Sequence, residues 1–241
     1  MKVVIVYPLP FDNWTFFEPF VERFTRTFKQ FKPGCEYEVA AVCNWGEPAD
    51  KVREMFYGIK TKFVPYYENG WDIGSAQHVA HTLPDNVFMV NMTSRCYFHR
   101  EGWLKLMADA REALGSGLYG CTANHDGYRL HLCTRAYAMD VEDFKYYPHK
   151  IDSRAKGPLF EIGADNEYGN LMEWMEVSRG KPSRLVFFDR VAEKPDWFTA
   201  PNRFRSGDQS NVLVHDFHTD IYRDAGDEMR EILRKNNVEK L

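Results

Sequence analysis

Residues 67–98 read YENGWDIGSAQHVAHTLPDNVFMVNMTSRCYF, and the reading of this stretch decides the fold. Asn69 and Gly70 form a turn dipeptide. Asp72, Gly74 and Ser75 are residue types that start helices, and Ser75 is placed to cap the segment AQHVAH. Pro84 and Asp85 stop that helix. Residues 87–90 form an apolar run short enough to be a strand covered on both faces. Residues 91–95, Asn-Met-Thr-Ser-Arg, then leave its carboxyl end. A helix feeding a buried strand whose carboxyl edge is polar is the pattern of an open α/β sheet, where ligands sit at that edge. A helix N-terminus on the same crevice offers unpaired amides to an anion.

Working outward, residues 3–6 read as a buried parallel strand, ended by the prolines of Tyr7-Pro8-Leu9-Pro10, which cannot donate to a ladder. Thr15 and Glu18 have capping-box spacing. Phe17, Val21, Phe24, Phe28 and Phe31 follow at helical intervals, and a second strand spans 37–43. Strand, helix and strand within this length make a βαβ unit with a right-handed crossover. A short helix at 49–56 and a short strand at 63–65 complete the first half.

In the second half, 100–114 predicts a helix with Trp103, Met107, Ala110 and Leu114 on one face. Strands are expected at 118–122, 130–134 and 185–188. Helices are expected at 136–144, about 166–178 and 227–235. No internal repeat or low-complexity linker interrupts the chain, so one domain is expected.

The 241 residues suffice for a sizeable core, and the net charge of −4 argues against a nucleic-acid surface. No apolar run is long enough for a transmembrane span, and the amino terminus reads as a strand rather than a signal peptide. Five scattered cysteines without metal spacing fit reduced thiols and a cytoplasmic setting. There is no P-loop, no G-x-G-x-x-G and no H-E-x-x-H.

The turn Gly70-x-Asp72-Ile73-Gly74-x-x-Gln77 before the central strand, followed in order by YFHREGWL, GLYG, FEIG and RSGDQSNVLVHDFHTD, resembles a bacterial branch of the GT-A-fold nucleotide-sugar glycosyltransferases. The resemblance covers most of the chain. It implies an α/β, Rossmann-like, mixed but mostly parallel sheet flanked by helices. It further implies a nucleotide-binding half (1–98) and an acceptor-binding half (99–241). The expected activity moves a sugar from a nucleotide-diphosphate sugar to a carbohydrate or related acceptor, as in polysaccharide biosynthesis. The expected partners are the nucleotide sugar and a glycan acceptor. Most members carry Asp-x-Asp after the central strand to hold a divalent metal; this chain has no carboxylate at 91–95. A non-catalytic domain that binds a nucleotide or glycan is the alternative.

The transfer needs a base for the acceptor hydroxyl, and the resemblance implies an acidic residue where Glu161 and Asp165 stand. By the same resemblance, Tyr7 and Pro8 leave the first strand where the base of the nucleotide would lie. Asp72 is a hydrogen-bond acceptor for base or ribose, and Gly74 permits close backbone approach. Two routes to the diphosphate are open. Thr93, Ser94 and Arg95 can hold it directly, the arginine fork matching phosphate oxygens. Alternatively Mn2+ or Mg2+ sits at Asp216 and His218. If that segment were a strand, alternation would put both, with Asp220, on one side.

Overall fold

Four parallel strands form one half of the sheet: β1 (Lys2–Pro10), β2 (Glu38–Asn44), β3 (Thr61–Tyr66) and β4 (Val87–Met92). The structure is a computed structural model that describes residues 1–68, 71–124, 130–133, 135–148, 171–198 and 209–238. β5 (Leu118–Gly120), β8 (Ala136–Asp140), β9 (Ser183–Val186) and β10 (Val191–Glu193) extend the sheet beyond β4. A small hairpin of β6 (Ala123–Asn124) and β7 (His131–Leu132) stands apart. The eight-stranded order is β10-β9-β5-β8-β4-β1-β2-β3. β8 runs antiparallel to β4 and β5, and β10 antiparallel to β9, so the sheet is mixed but mostly parallel.

The expected βαβ unit is present, with α1 (Trp14–Gln30) linking β1 to β2. Phe24 and Phe28 of α1 are buried, and Phe28 meets Phe98 and Trp103 edge-on in one aromatic cluster. The capping box at Thr15 does not form. A 3-10 turn at Phe11–Asn13 runs straight into the helix and leaves Thr15 inside its first turn. α2 (Asp50–Met55) leads to β3. α3 (Trp71–Ala80) then carries the chain back over β2 and β1 to β4, on the face opposite α1.

β1 does not stop at Tyr7 but runs to Pro10. Its pairing with β4 ends at Val6, whereas pairing with β2 continues to Pro10. Beyond Val6 only alternate amides need partners, and two prolines spaced by two residues share the open edge. α4 (Trp103–Leu114) starts later than 100 because Gly102 is in the left-handed region at φ 78°, a break that glycine tolerates.

The largest misreading concerns 136–144. Residues 136–140 are β8, every one buried between β4 and β5, and only α5 (Val141–Lys145) is helical. Packing in a central strand outweighs the modest helix preference of alanine and methionine. The helix expected near 166–178 begins outside the described residues; within them, 171–173 are α-helical and Trp174–Ser178 continue as a π-helical turn. Two helices close the chain, α6 (Phe217–Asp224) and α7 (Asp227–Val238). All five cysteines are free thiols, and all but Cys35 are buried. Among the described residues, no helix is long and apolar enough to cross a membrane.

Candidate functional site

β1 to β4 end at Pro10, Asn44, Tyr66 and Met92 along one edge of the sheet. From β1 the chain steps outward to β2 and β3 and then returns to β4, so strand order reverses between β1 and β4. In open α/β sheets a crevice forms where connections diverge in this way. Residues 91–95 form its β4 side.

Tyr7 holds the crevice together. Its ring stacks on Phe24 with centroids 3.7 Å apart, and its hydroxyl donates to the Ser94 carbonyl at 2.7 Å. Burial, with Cys96 and the Asp72 charge adding to it, pushes the phenol well above its ordinary pKa. Asp72 likewise raises Tyr137, after burial. Tyr7 and Ser94 meet at the β1–β4 junction, and the Asp72 charge acts on both the Tyr7 and Tyr137 phenols. Tyr7 is part of the wall, not an open platform for a base, and Pro8 is buried in β1. Both expectations for these residues are corrected by burial. α3 already begins at Trp71, which puts Asp72 in its first turn and Ser75 inside it. Ser75 is no cap; its hydroxyl, fully buried, donates to Asn44 Oδ1 at 3.1 Å. Gly74 lines a cleft on the outer side of α3.

β4 extends two residues beyond the expected end, which turns Asn91 into a strand residue opposite Val6 and Tyr137. Asn91 is 2% exposed, and neither polar atom of its carboxamide has a hydrogen-bond partner among the described residues. Thr93 and Ser94 are buried, the Thr93 amide donating to the Arg135 carbonyl at 3.2 Å. Arg95 is half-buried. Its guanidinium lies 5.4 Å from the Phe217 ring centroid and makes no hydrogen bond or ion pair among the described residues.

The 209–220 segment is organised around a residue that the sequence reading passed over. Arg135 is fully buried and donates to Gln209 Oε1 at 2.8 Å and the Val214 carbonyl at 3.0 Å, with Asp216 Oδ1 3.2 Å away. A lone arginine in the otherwise apolar run around β8 is the signal that could have found it, because a buried charge needs a partner. Asp216 and His218 are not on a strand. Asp216 caps α6, accepting from the His218 and Thr219 amides at 3.0 and 3.1 Å in a reciprocal capping box with Thr219. Asp220 accepts from Arg23 and, at 2.7 Å, from the Tyr97 hydroxyl.

His218 Nδ1 lies 3.5 Å from Asp216 Oδ2, so the two residues expected to hold a divalent cation are neighbours. Asp216, however, is already neutralised by Arg135 and occupied as a cap, and residues 91–95 carry no carboxylate. Among the described residues no three His, Cys, Asp or Glu side chains are grouped to hold a metal. Glu161 and Asp165, the expected bases, lie outside the described residues.

His99 and His215 form a second, half-buried feature, stacked at 3.8 Å and 14°. Each places Nε2 on a carbonyl, Val212 at 2.7 Å and Gln209 at 2.9 Å respectively. A carbonyl only accepts, so Nε2 carries the proton in both. Burial pulls His215 down to about 3, with the neighbouring His99 and Arg135 charges contributing, and burial also lowers His99. The unfolded chain, with histidine near 6.5, then binds more protons than the native state between about pH 6.5 and 3. Stability is full above that window and falls as pH drops through it. We expect wild type to lose about 2 kcal/mol between pH 6.5 and 5 through His215. His215→Phe should flatten that slope in urea melts; an unchanged slope would refute the assignment.

No family model matches the chain, and no curated protein matches it. Solved structures do. A crystal structure of S. aureus TarS 1–349 is 13% identical over 70% of this chain and 55% of that one, with a TM-score of 0.50. The same fragment in complex with UDP is 14% identical over 70% of this chain and 56% of that one, again at 0.50. The chain thus spans little more than half of the TarS fragment. The likeness is one of fold: a GT-A-like, mixed, mostly parallel sheet flanked by helices.

Proposed function

We propose that the protein is a glycosyltransferase, hexosyltransferase-like, that takes a sugar from a nucleoside-diphosphate sugar and passes it to a carbohydrate or related acceptor. The observation that carries this reading is Arg95, a guanidinium without an anionic partner among the described residues, at the strand-order reversal of a GT-A-like sheet. A fork of N–H donors there suits a diphosphate and supplies positive charge without a metal. Asn91 supports the same reading, since an amide kept unpaired in a core is costly to stability. Donor binding belongs to residues 1–98 with Asp72 and Ser94, and acceptor binding to 99–241. Glu161 or Asp165 takes the acceptor proton as its oxygen attacks the anomeric carbon and the nucleoside diphosphate leaves.

The lack of a carboxylate at 91–95 favours a second reading, a domain that binds a nucleotide or glycan without catalysis. Calorimetric titration with uridine and guanosine diphosphates, with and without manganese, followed by donor-sugar turnover assays, separates the two. Binding with turnover supports transfer, and tight binding without turnover on any acceptor supports the second. Failure of both nucleotides to bind removes both.

Asn91→Leu offers a more local test. Removing an unpaired buried amide should leave stability unchanged or raise it by about 1–3 kcal/mol. Nucleotide affinity should fall. Thermal melts with and without uridine diphosphate check both; a variant that melts lower yet binds normally would make Asn91 purely structural.

A further inference from the structure

A cleft of about 570 Å³ runs along the outer face of α3, beside the end of β3 and away from the β1–β4 crevice. That is within the size range of small-molecule sites. β3 is an edge strand two places from β1, so the β3 end of the cleft stands roughly 10 Å from β1 at about 4.8 Å per strand, while Tyr147 and Pro148 line it from the chain after α5.

Its walls are of two kinds. Tyr66, Tyr67 and Tyr147 supply aromatic rings, with Pro65 and Pro148 as further flat apolar faces. Tyr67 is 55% exposed, and the Tyr66 ring packs at 4.8 Å against His78, which restricts that imidazole. Gln77 and His78 project from α3 and His81 from the turn that follows it, and Gly74 leaves the floor without a side chain. The cleft contains no lysine or arginine among its described lining residues, and Glu68 is its one acid. A phosphate would meet no fixed cation there and one carboxylate. A neutral ring with apolar faces and a rim of hydroxyls matches both walls: the faces lie on the tyrosines, and the hydroxyls exchange hydrogen bonds with amide and imidazole.

We infer that this cleft is a subsite for a neutral saccharide chain, separate from the crevice assigned to the nucleotide. Its use by the far end of a glycan acceptor rests on the transfer reading above and carries the acceptor path beyond 99–241 onto residues 65–81 of the first half; saccharide binding itself does not rest on that reading. A sugar unit seated here would leave one or two further units to reach the crevice, so a short oligosaccharide is favoured over a monosaccharide.

The test uses the full chain and neutral tetrasaccharides of glucose and of N-acetylglucosamine as probes, titrated at saturating uridine diphosphate and followed by amide chemical shifts. We expect millimolar binding with shifts at Tyr67, Gln77 and His81, weakened about tenfold by Tyr67→Ala and by His81→Ala, about one hydrogen bond or stacking contact each. Uridine diphosphate affinity should change less than twofold in both variants. No saccharide binding at millimolar concentration, binding indifferent to both substitutions, or competition between saccharide and uridine diphosphate would each overturn the subsite. If the saccharides bind as expected but neither uridine nor guanosine diphosphate does, the subsite stands and the transfer reading falls.

Discussion

Arg135→Met is expected to destabilise the protein by about 3–5 kcal/mol, the typical effect of removing one partner from a buried ion pair. The arginine is fully buried and joins β8 to the segment before α6 through Gln209, the Val214 carbonyl and Asp216. Without it the Asp216 carboxylate, 2% exposed, keeps its cap bonds to α6 but loses the guanidinium that offsets its charge. Asp216→Asn should be milder, because an amide oxygen can still accept from the cap, although Arg135 then loses its counter-charge. The double variant should be more stable than the sum of the two losses predicts, since no unpaired charge of one sign remains. Urea unfolding of the four proteins measures this. Strict additivity would mean that the pair is not coupled and that 209–220 is held in another way.

Arg95→Ala is expected to act on binding instead. Loss of a charge-assisted contact worth about 1.5–3 kcal/mol lowers nucleoside diphosphate affinity by about 10- to 100-fold. Stability should change little, because Arg95 has only its contact with the Phe217 ring, worth about 0.5–1 kcal/mol at such sites. Arg95→Lys should fall between the two in affinity, as it keeps the charge and loses the fork. Equal affinity of wild type and Arg95→Ala would remove this residue from the site.

The parts of the fold legible in sequence are those in which local pattern and burial agree. The run at 87–90 is buried as expected; of the stripe through Phe17, Val21, Phe24, Phe28 and Phe31 the middle three are buried, and of the face of Trp103, Met107, Ala110 and Leu114 the first three, Leu114 lying exposed at the helix end. The failures arise where distant partners decide. Residues 136–140 become strand because β4 and β5 flank them, and β1 continues through two prolines because one of its edges is free. The candidate site divides in the same way. Asp72, Ser94 and Arg95 could be picked out by type and position. Tyr7 was misplaced because the stacking on Phe24 that buries it comes from a different element. Asp216 and His218 resemble ligands in sequence, but Asp216 is committed to Arg135, which lies eighty-one positions earlier in the chain.

The central claim is that the β1–β4 crevice takes a nucleoside diphosphate. Titrating isotopically labelled protein with uridine and guanosine diphosphates and mapping the amide shifts tests it most directly. The account predicts saturable shifts concentrated at Asp72, Asn91, Ser94 and Arg95, with the α7 amides unmoved. Shifts confined to the cleft beside α3, or none at millimolar nucleotide, would contradict it.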